Sequence, residues 1–128
     1  DADDALRAVE HGADAVVVSN HGGRQLDGAA STISVLPEIV DAAGDRAEIL
    51  FDGGVMCGQD VLKALALGAR GCLIGKAHLY GLAAAGQEGV TSVLELIRDE
   101  LGVTMGLTGC RCIAEIDRRI VRHVPPVR

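Results

Sequence analysis

The chain has 128 residues, 48% of them hydrophobic, with one Phe, one Tyr and no Trp. That is enough for one modest domain, with a core built from Ala, Val, Leu and Ile. A net charge of −6 argues against a nucleic-acid partner. No apolar run approaches a membrane span and no secretory signal is visible.

The pattern opens at Asp1, without a methionine and already inside a helix, so the chain reads as the C-terminal part of something longer. Asp3 and Asp4 suit a helix N-terminus, Ala5, Leu6 and Val9 supply its apolar face, and Gly12 ends it in the left-handed conformation. A first strand covers residues 13–19. Leu36, Ile39, Val40 and Ala43 recur at helical spacing, with Pro37 expected in the first turn. A second strand, residues 48–51, runs into Asp52-Gly53-Gly54, and a helix follows from about Gln59 to Leu67, stopped by Gly68. The third strand is expected over residues 71–74, ending at Gly75-Lys76. Most of the remainder is helical, with an apolar stripe of Val90, Val93, Leu94, Ile97 and Leu101. Ile113, Ile116 and Ile120 point to a last short helix, and Pro125-Pro126 to a frayed tail.

Three short apolar strands, each followed by a helix, indicate an α/β chain with a parallel sheet. A doubly wound sheet and a (β/α)8 barrel both fit. No Gly-x-Gly-x-x-Gly follows a strand, which weakens the dinucleotide-binding version.

The chemistry concentrates where Val16-Val17-Val18 runs into Ser19-Asn20-His21-Gly22-Gly23-Arg24-Gln25-Leu26-Asp27. An imidazole exchanges protons near neutral pH, and a guanidinium grips a carboxylate with two parallel hydrogen bonds. Together at a strand end, His21 and Arg24 suit chemistry on a carbon beside a carboxylate. Ser19 lies two residues before His21, on the same side. Cys110 and Cys112 form Cys-x-Cys, a pattern open to metal or redox use, but no second ligand cluster accompanies them, so they read as ordinary small buried thiols. Four cysteines in no paired framework fit a reducing, cytoplasmic setting. His11, His78 and His123 carry no motif and read as surface or helix residues.

The string from Ser19 to Asp27 resembles the active-site signature of the FMN-dependent 2-hydroxy-acid dehydrogenases and oxidases, the family of L-lactate dehydrogenase, glycolate oxidase and mandelate dehydrogenase. Asp52-Gly53-Gly54-Val55, the run from Asp60 to Ala69, and Leu107-Thr108-Gly109-Cys110 follow in that family's order. The likeness spans residues 1–117 and leaves 118–128 as a C-terminal tail. It implies strands six to eight of a TIM (β/α)8 barrel, which needs about 250 residues and which this chain cannot close alone.

The resemblance also implies roles. His21 is the catalytic base and touches substrate, and Arg24 binds the substrate carboxylate. Ser19 hydrogen-bonds the flavin ring, while Asp52 supports the site or binds the flavin ribose. FMN phosphate falls to Gly53, Gly54, Val55, Met56, Gly75 and Lys76, where glycine-bearing turns and a following helix N-terminus attract an anion. The implied reaction takes an L-2-hydroxy acid to the 2-oxo acid and passes two electrons through FMN to oxygen, a quinone or a cytochrome. The full-length protein is expected to be a homo-oligomer, membrane-associated only through parts outside this chain.

Departures from the family matter. Relatives read Asp-Gly-Gly-Val-Arg-Arg-Gly where this chain has Met56 and Cys57, and Gly-Arg where it has Gly75-Lys76. Lys76 keeps a point charge and loses the fork, so weaker flavin retention is expected. The family's lysine on the preceding strand is absent, and Tyr80 lies in the wrong region to replace its tyrosines. The 128 residues alone are therefore expected neither to turn over a 2-hydroxy acid nor to hold FMN stably. A non-enzymatic alternative is a half-barrel acting only by association with another chain. Other FMN barrels, such as isomerases, share the glycine loops but not the His21-to-Asp27 string.

Overall fold

A computed structural model describes residues 1–122, so His123 and the Pro125-Pro126 tail lie outside the described residues. In chain order the elements are α1 (Ala2–Glu10), β1 (Ala15–Val18), α2 (Thr32–Ala43), β2 (Glu48–Phe51), α3 (Gly58–Ala66), β3 (Gly71–Cys72) and α4 (Ala77–Thr108). Short 3-10 turns occupy His21–Gly23, Ile113–Glu115 and Arg118–Ile120.

Local chemistry explains most boundaries. Asp1 caps α1 by accepting from the Asp4 amide at 3.0 Å. Gly12 and Gly68 take the left-handed conformation just past α1 and α3, with φ of 93° and 106°. Second-strand limits agree with the sequence reading, while β1 and β3 are shorter than the expected 13–19 and 71–74.

Four expectations are corrected. Pro37 is the sixth residue of α2 rather than a first-turn residue, because the helix starts at Thr32. Its missing N–H therefore removes an interior hydrogen bond, and the helix continues through it. The long helix α4 is two helical stretches, interrupted where Ala85 (φ −150°) and Gly86 (φ 58°) leave helical geometry. Leu94 is 51% exposed and falls outside the stripe, whereas Val90, Val93, Ile97 and Leu101 are half-buried. The expected last helix is two 3-10 turns, with Ile116 buried and Ile113 exposed.

The sheet is parallel, ordered β1-β2-β3. Val17 pairs with Leu50 and Leu50 with Gly71, and one row on Val18, Phe51 and Cys72 align. The two-residue period then sorts the faces. Val16, Val18, Ile49, Phe51, Cys72 and Ile74 turn towards one core, shared with Ala5 of α1, Leu36, Ile39 and Ala43 of α2, and Ala64 of α3. Each large buried side chain there contributes about 1.5–3 kcal/mol. The opposite face carries Val17, Leu50 and Leu73, with Val17 44% and Leu73 46% exposed. With α1, α2 and α3 on one face, the described residues do not form a doubly wound sheet, which covers both.

A second cluster (Leu62, Ala66, Cys110 and Ile116) ties α3 to the segment after α4. Arg118 Nη2 donates to Asp41 Oδ1 at 2.7 Å, bringing the last turn onto α2. Among the described residues no helix is long and apolar enough to cross a membrane.

Helices α3 and α4 approach most closely at Gly58. A Cβ there would strike the Leu101 amide nitrogen and lie 2.6 Å from the Ile97 carbonyl oxygen. Gly58→Ala is therefore expected to destabilise the fold by about 2–3 kcal/mol, read from the urea midpoint. An unchanged midpoint contradicts the close contact.

Candidate active site

Beyond β1 the chain leaves the sheet at its C-terminal edge. The Asp52 amide donates to the Val18 carbonyl at 3.1 Å and the Leu73 amide to the Phe51 carbonyl at 2.8 Å. Ser19, Asp52 and Leu73 thus form one row, on the face that the helices leave open. Ser19 Oγ accepts from the His21 amide at 3.1 Å and starts a tight turn.

His21 (φ 55°), Gly22 (φ 76°) and Gly23 (φ 69°) are all left-handed. For His21 that conformation costs on the order of 1–2 kcal/mol, a cost met repeatedly at functional sites. The turn brings Arg24 against Gly22: a Cβ on Gly22 would lie 3.8 Å from Arg24 Cγ. Both His21 and Arg24 are exposed, as is every residue from 21 to 31.

Two residues that the sequence reading did not single out join this turn to the next loop. Asn20 Nδ2 donates to the Ala30 carbonyl at 3.2 Å and closes the excursion. Thr32 Oγ1, at the start of α2, donates to the Gly53 carbonyl at 3.3 Å. Gly53 (φ 93°) has no room for a side chain: its Cβ would lie 2.7 Å from Thr32 Oγ1 and 3.1 Å from Asn20 Oδ1. Ser19, His21, Arg24, Asp52 and Gly53 are thereby gathered at adjacent strand ends.

The predicted phosphate residues divide. Val55 is buried in the core, so only its backbone is available. Met56 is exposed. Its amide donates to Asp60 Oδ2 at 3.0 Å, and the Gly58 amide donates to Glu100 Oε2 at 2.8 Å. The Gly58 amide, the first of α3, and the Met56 amide just before its N-cap are thus each taken by one of the chain's own carboxylates. Glu100 is forty-two residues from Gly58, and no local signal reveals it.

Gly54 and Gly75 are different. A Cβ on either would meet nothing within 4 Å, and the amides of Gly54, Gly75 and Lys76 donate to no acceptor among the described residues. Lys76 is exposed at the start of α4. Open amides, a lysine and the Ser19 hydroxyl can donate, and the Asp52 carboxylate can accept from a hydroxyl, a set that fits a phosphate-bearing flavin.

The remaining candidates lie elsewhere. His11 Nδ1 meets the Arg7 carbonyl at 2.8 Å on the surface of α1, and His78 and Tyr80 are on α4. Cys110 is buried as expected, whereas Cys112, expected to be buried, is exposed because it stands just before the Ile113–Glu115 surface turn; no group of three or more metal-binding side chains occurs among the described residues.

With this geometry in place, residues 1–123 match the profile of the FMN-dependent dehydrogenases. The chain belongs to that family. It is 56% identical over 115 residues to the L-lactate oxidase of Nostoc sp., covering 90% of this chain and 32% of the relative. The L-lactate dehydrogenase of Caulobacter vibrioides is 56% identical over 126 residues, 98% of this chain and 33% of the relative. Human 2-hydroxyacid oxidase 1 is 50% identical over 123 residues, 96% of this chain and 33% of the relative. The fold superposes on a crystal structure of mandelate oxidase with benzoyl-formic acid at a TM-score of 0.88 and 52% identity, covering 92% of this chain and 35% of that one. This FMN-dependent dehydrogenase chain thus spans about a third of the length of the relatives it matches. FMN is the family's cofactor.

One thiol of this family member is strongly displaced. Burial, reinforced by the Asp60 carboxylate, pushes Cys72 up from 9.0 to about 11. The fold favours the neutral thiol, so this contribution to stability is complete below pH 9 and is lost as pH rises through about 11. At pH 8 iodoacetamide is expected to label exposed Cys112 well before Cys72, as read by mass spectrometry. Equal labelling of the two at pH 8 contradicts the assignment.

Proposed function

We propose that this chain is the C-terminal part of an FMN-dependent oxidoreductase that converts an L-2-hydroxy acid, lactate-like in size, to its 2-oxo acid. In this reading residues 1–117 are strands six to eight of a TIM (β/α)8 barrel with their helices, and 118–128 are a C-terminal tail. One observation carries the reading: the His21–Arg24 turn stands at the C-terminal edge of a parallel sheet, directly after Ser19, which lies on the face the helices leave open. Barrel enzymes place their chemistry at that edge. The relatives' names, an L-lactate oxidase, a 2-hydroxyacid oxidase and a mandelate oxidase, support the substrate class.

Arg24 docks the substrate carboxylate through two parallel hydrogen bonds and so orients the neighbouring carbon. His21 then takes a proton from the 2-hydroxy acid. The substrate loses two protons and two electrons, and bound FMN supplies the chemistry that accepts the electron pair. Ser19 and Asp52 are assigned to the flavin ring and ribose. Gly53, Gly54, the Val55 backbone, Met56, Gly75 and Lys76 are assigned to its phosphate side. The partners are a small 2-hydroxy acid and an acceptor such as oxygen, a quinone or a cytochrome, and the full-length protein is read as a homo-oligomer.

The exposed Val17 and Leu73 also favour a second reading, in which this chain alone is an inactive half-barrel that acts by covering its open face with another chain. Gel filtration with flavin absorbance separates the two: a yellow, active species or a colourless, associating one.

In the full-length protein, His21→Gln is expected to lower kcat by about 10²–10⁴-fold, with the 2-hydroxy acid as substrate. Arg24→Lys is expected to act mainly through KM, because an ammonium lacks the fork. Wild-type turnover in His21→Gln would sink the base assignment. Met56→Arg is expected to tighten FMN binding in a fluorescence titration, and equal affinities contradict the view that Met56 leaves a charge deficit.

A further inference from the structure

We infer that Asn20 is the positioning residue of this site, fixing the His21–Arg24 turn against the Asp52–Gly53 loop; the inference rests on the functional reading above. Residues 21–31 are all exposed, so no apolar packing holds their path. Hydrogen bonds must do so, and Asn20 makes the two that matter. Its carbonyl accepts from the Gly23 amide at 3.0 Å, shaping the left-handed turn. Its Nδ2 donates to the Ala30 carbonyl at 3.2 Å, joining the two ends of the excursion.

The other end of the side chain is the more informative. Asn20 Oδ1 is buried and has no hydrogen-bond partner. Flipping the amide does not relieve it, because Oδ1 would then face the Ala30 carbonyl, acceptor against acceptor. The amide orientation is therefore set by Ala30, and Oδ1 is left pointing at Gly53, 3.1 Å from where a Cβ would sit. Thr32 Oγ1 crowds the same spot at 2.7 Å and bonds the Gly53 carbonyl. An unpaired buried acceptor costs free energy, and its retention here fits a side chain held for where it places its neighbours. Asn20 thereby links the substrate-binding turn to the loop assigned to the flavin. It touches neither substrate nor flavin in this scheme and acts through His21 and Arg24.

The test uses the full-length protein with FMN bound and oxalate as the probe, a carboxylate with no Cα–H to give up. Oxalate binding is read from the change in flavin absorbance, alongside KM and kcat for the 2-hydroxy acid. Asn20→Ala removes both ends of the amide. Asn20→Ser is uncharged and withdraws the donor from Ala30 while keeping a small polar side chain, so it serves where Asn20→Ala does not fold. Each is expected to raise the oxalate Kd and KM about tenfold or more, with the FMN Kd changed less than about twofold. An unchanged oxalate Kd in either flavin-loaded variant, while Arg24→Met still weakens oxalate, overturns the positioning role alone. If Arg24→Met also leaves oxalate binding unchanged, the functional reading falls and takes this inference with it.

Discussion

A parallel sheet packed on one side only imposes the constraint from which the site follows. Parallel strands normally have both faces covered, and here α1, α2 and α3 all lie over the face that carries Val18, Ile49, Phe51 and Cys72. The opposite face shows Val17, Leu50 and Leu73, which are the aliphatic residues of an interior rather than of a solvated surface. Polarity appears on that face at its two ends: Glu48 at the N-terminal end, paired with Arg70, and Ser19 and Asp52 in one row at the C-terminal edge. Strand register alone therefore decides which ends of the chain can share a pocket, and it aligns the ends that bear the His21 turn and the Gly53-Gly54 turn.

Backbone conformation then does what side-chain packing cannot. Three successive left-handed residues, one of them His21, fold the exposed turn back on itself. Gly53 admits Thr32 and Asn20 because it has no side chain. The electrostatics follow the same economy. Asp60 and Glu100 accept from the Met56 and Gly58 amides, while the amides of Gly54, Gly75 and Lys76 have no acceptor among the described residues. The Met56 position, where the family resemblance implies an arginine, is thus a point where this chain offers neither charge nor free amide.

Local signals made much of the fold readable in the sequence. Runs such as Val16-Val17-Val18 and Ile49-Leu50-Phe51 are short, apolar and bounded by polar turns, and both are strands. Gly12 and Gly68 marked helix ends because their conformation is a property of one residue. Errors came where two signals competed. Apolar spacing counted from Leu36 hid a helix start at Ser31-Thr32 and so misplaced Pro37. The Ala-Ala-Ala-Gly stretch before Gln87 reads as good helix, yet the backbone breaks at Ala85 and Gly86. Leu94 follows Val93 and so lies about 100° round the helix from the half-buried stripe. The choice between doubly wound sheet and barrel wall stayed open because which face a helix covers is set by crossovers, not by composition. The His21–Arg24 string was visible as chemistry, whereas Thr32 on Gly53 and Glu100 on Gly58 are contacts between distant residues that only the folded chain brings together.

A crystal structure of the full-length protein with FMN and oxalate tests the central claim most directly, which is that the open edge of this sheet is one shared pocket. The account predicts electron density for the carboxylate between Arg24 and His21, with the flavin against Ser19 and Asp52. Oxalate bound away from both side chains, or another element of the chain packed over Ser19 and Asp52, would contradict it.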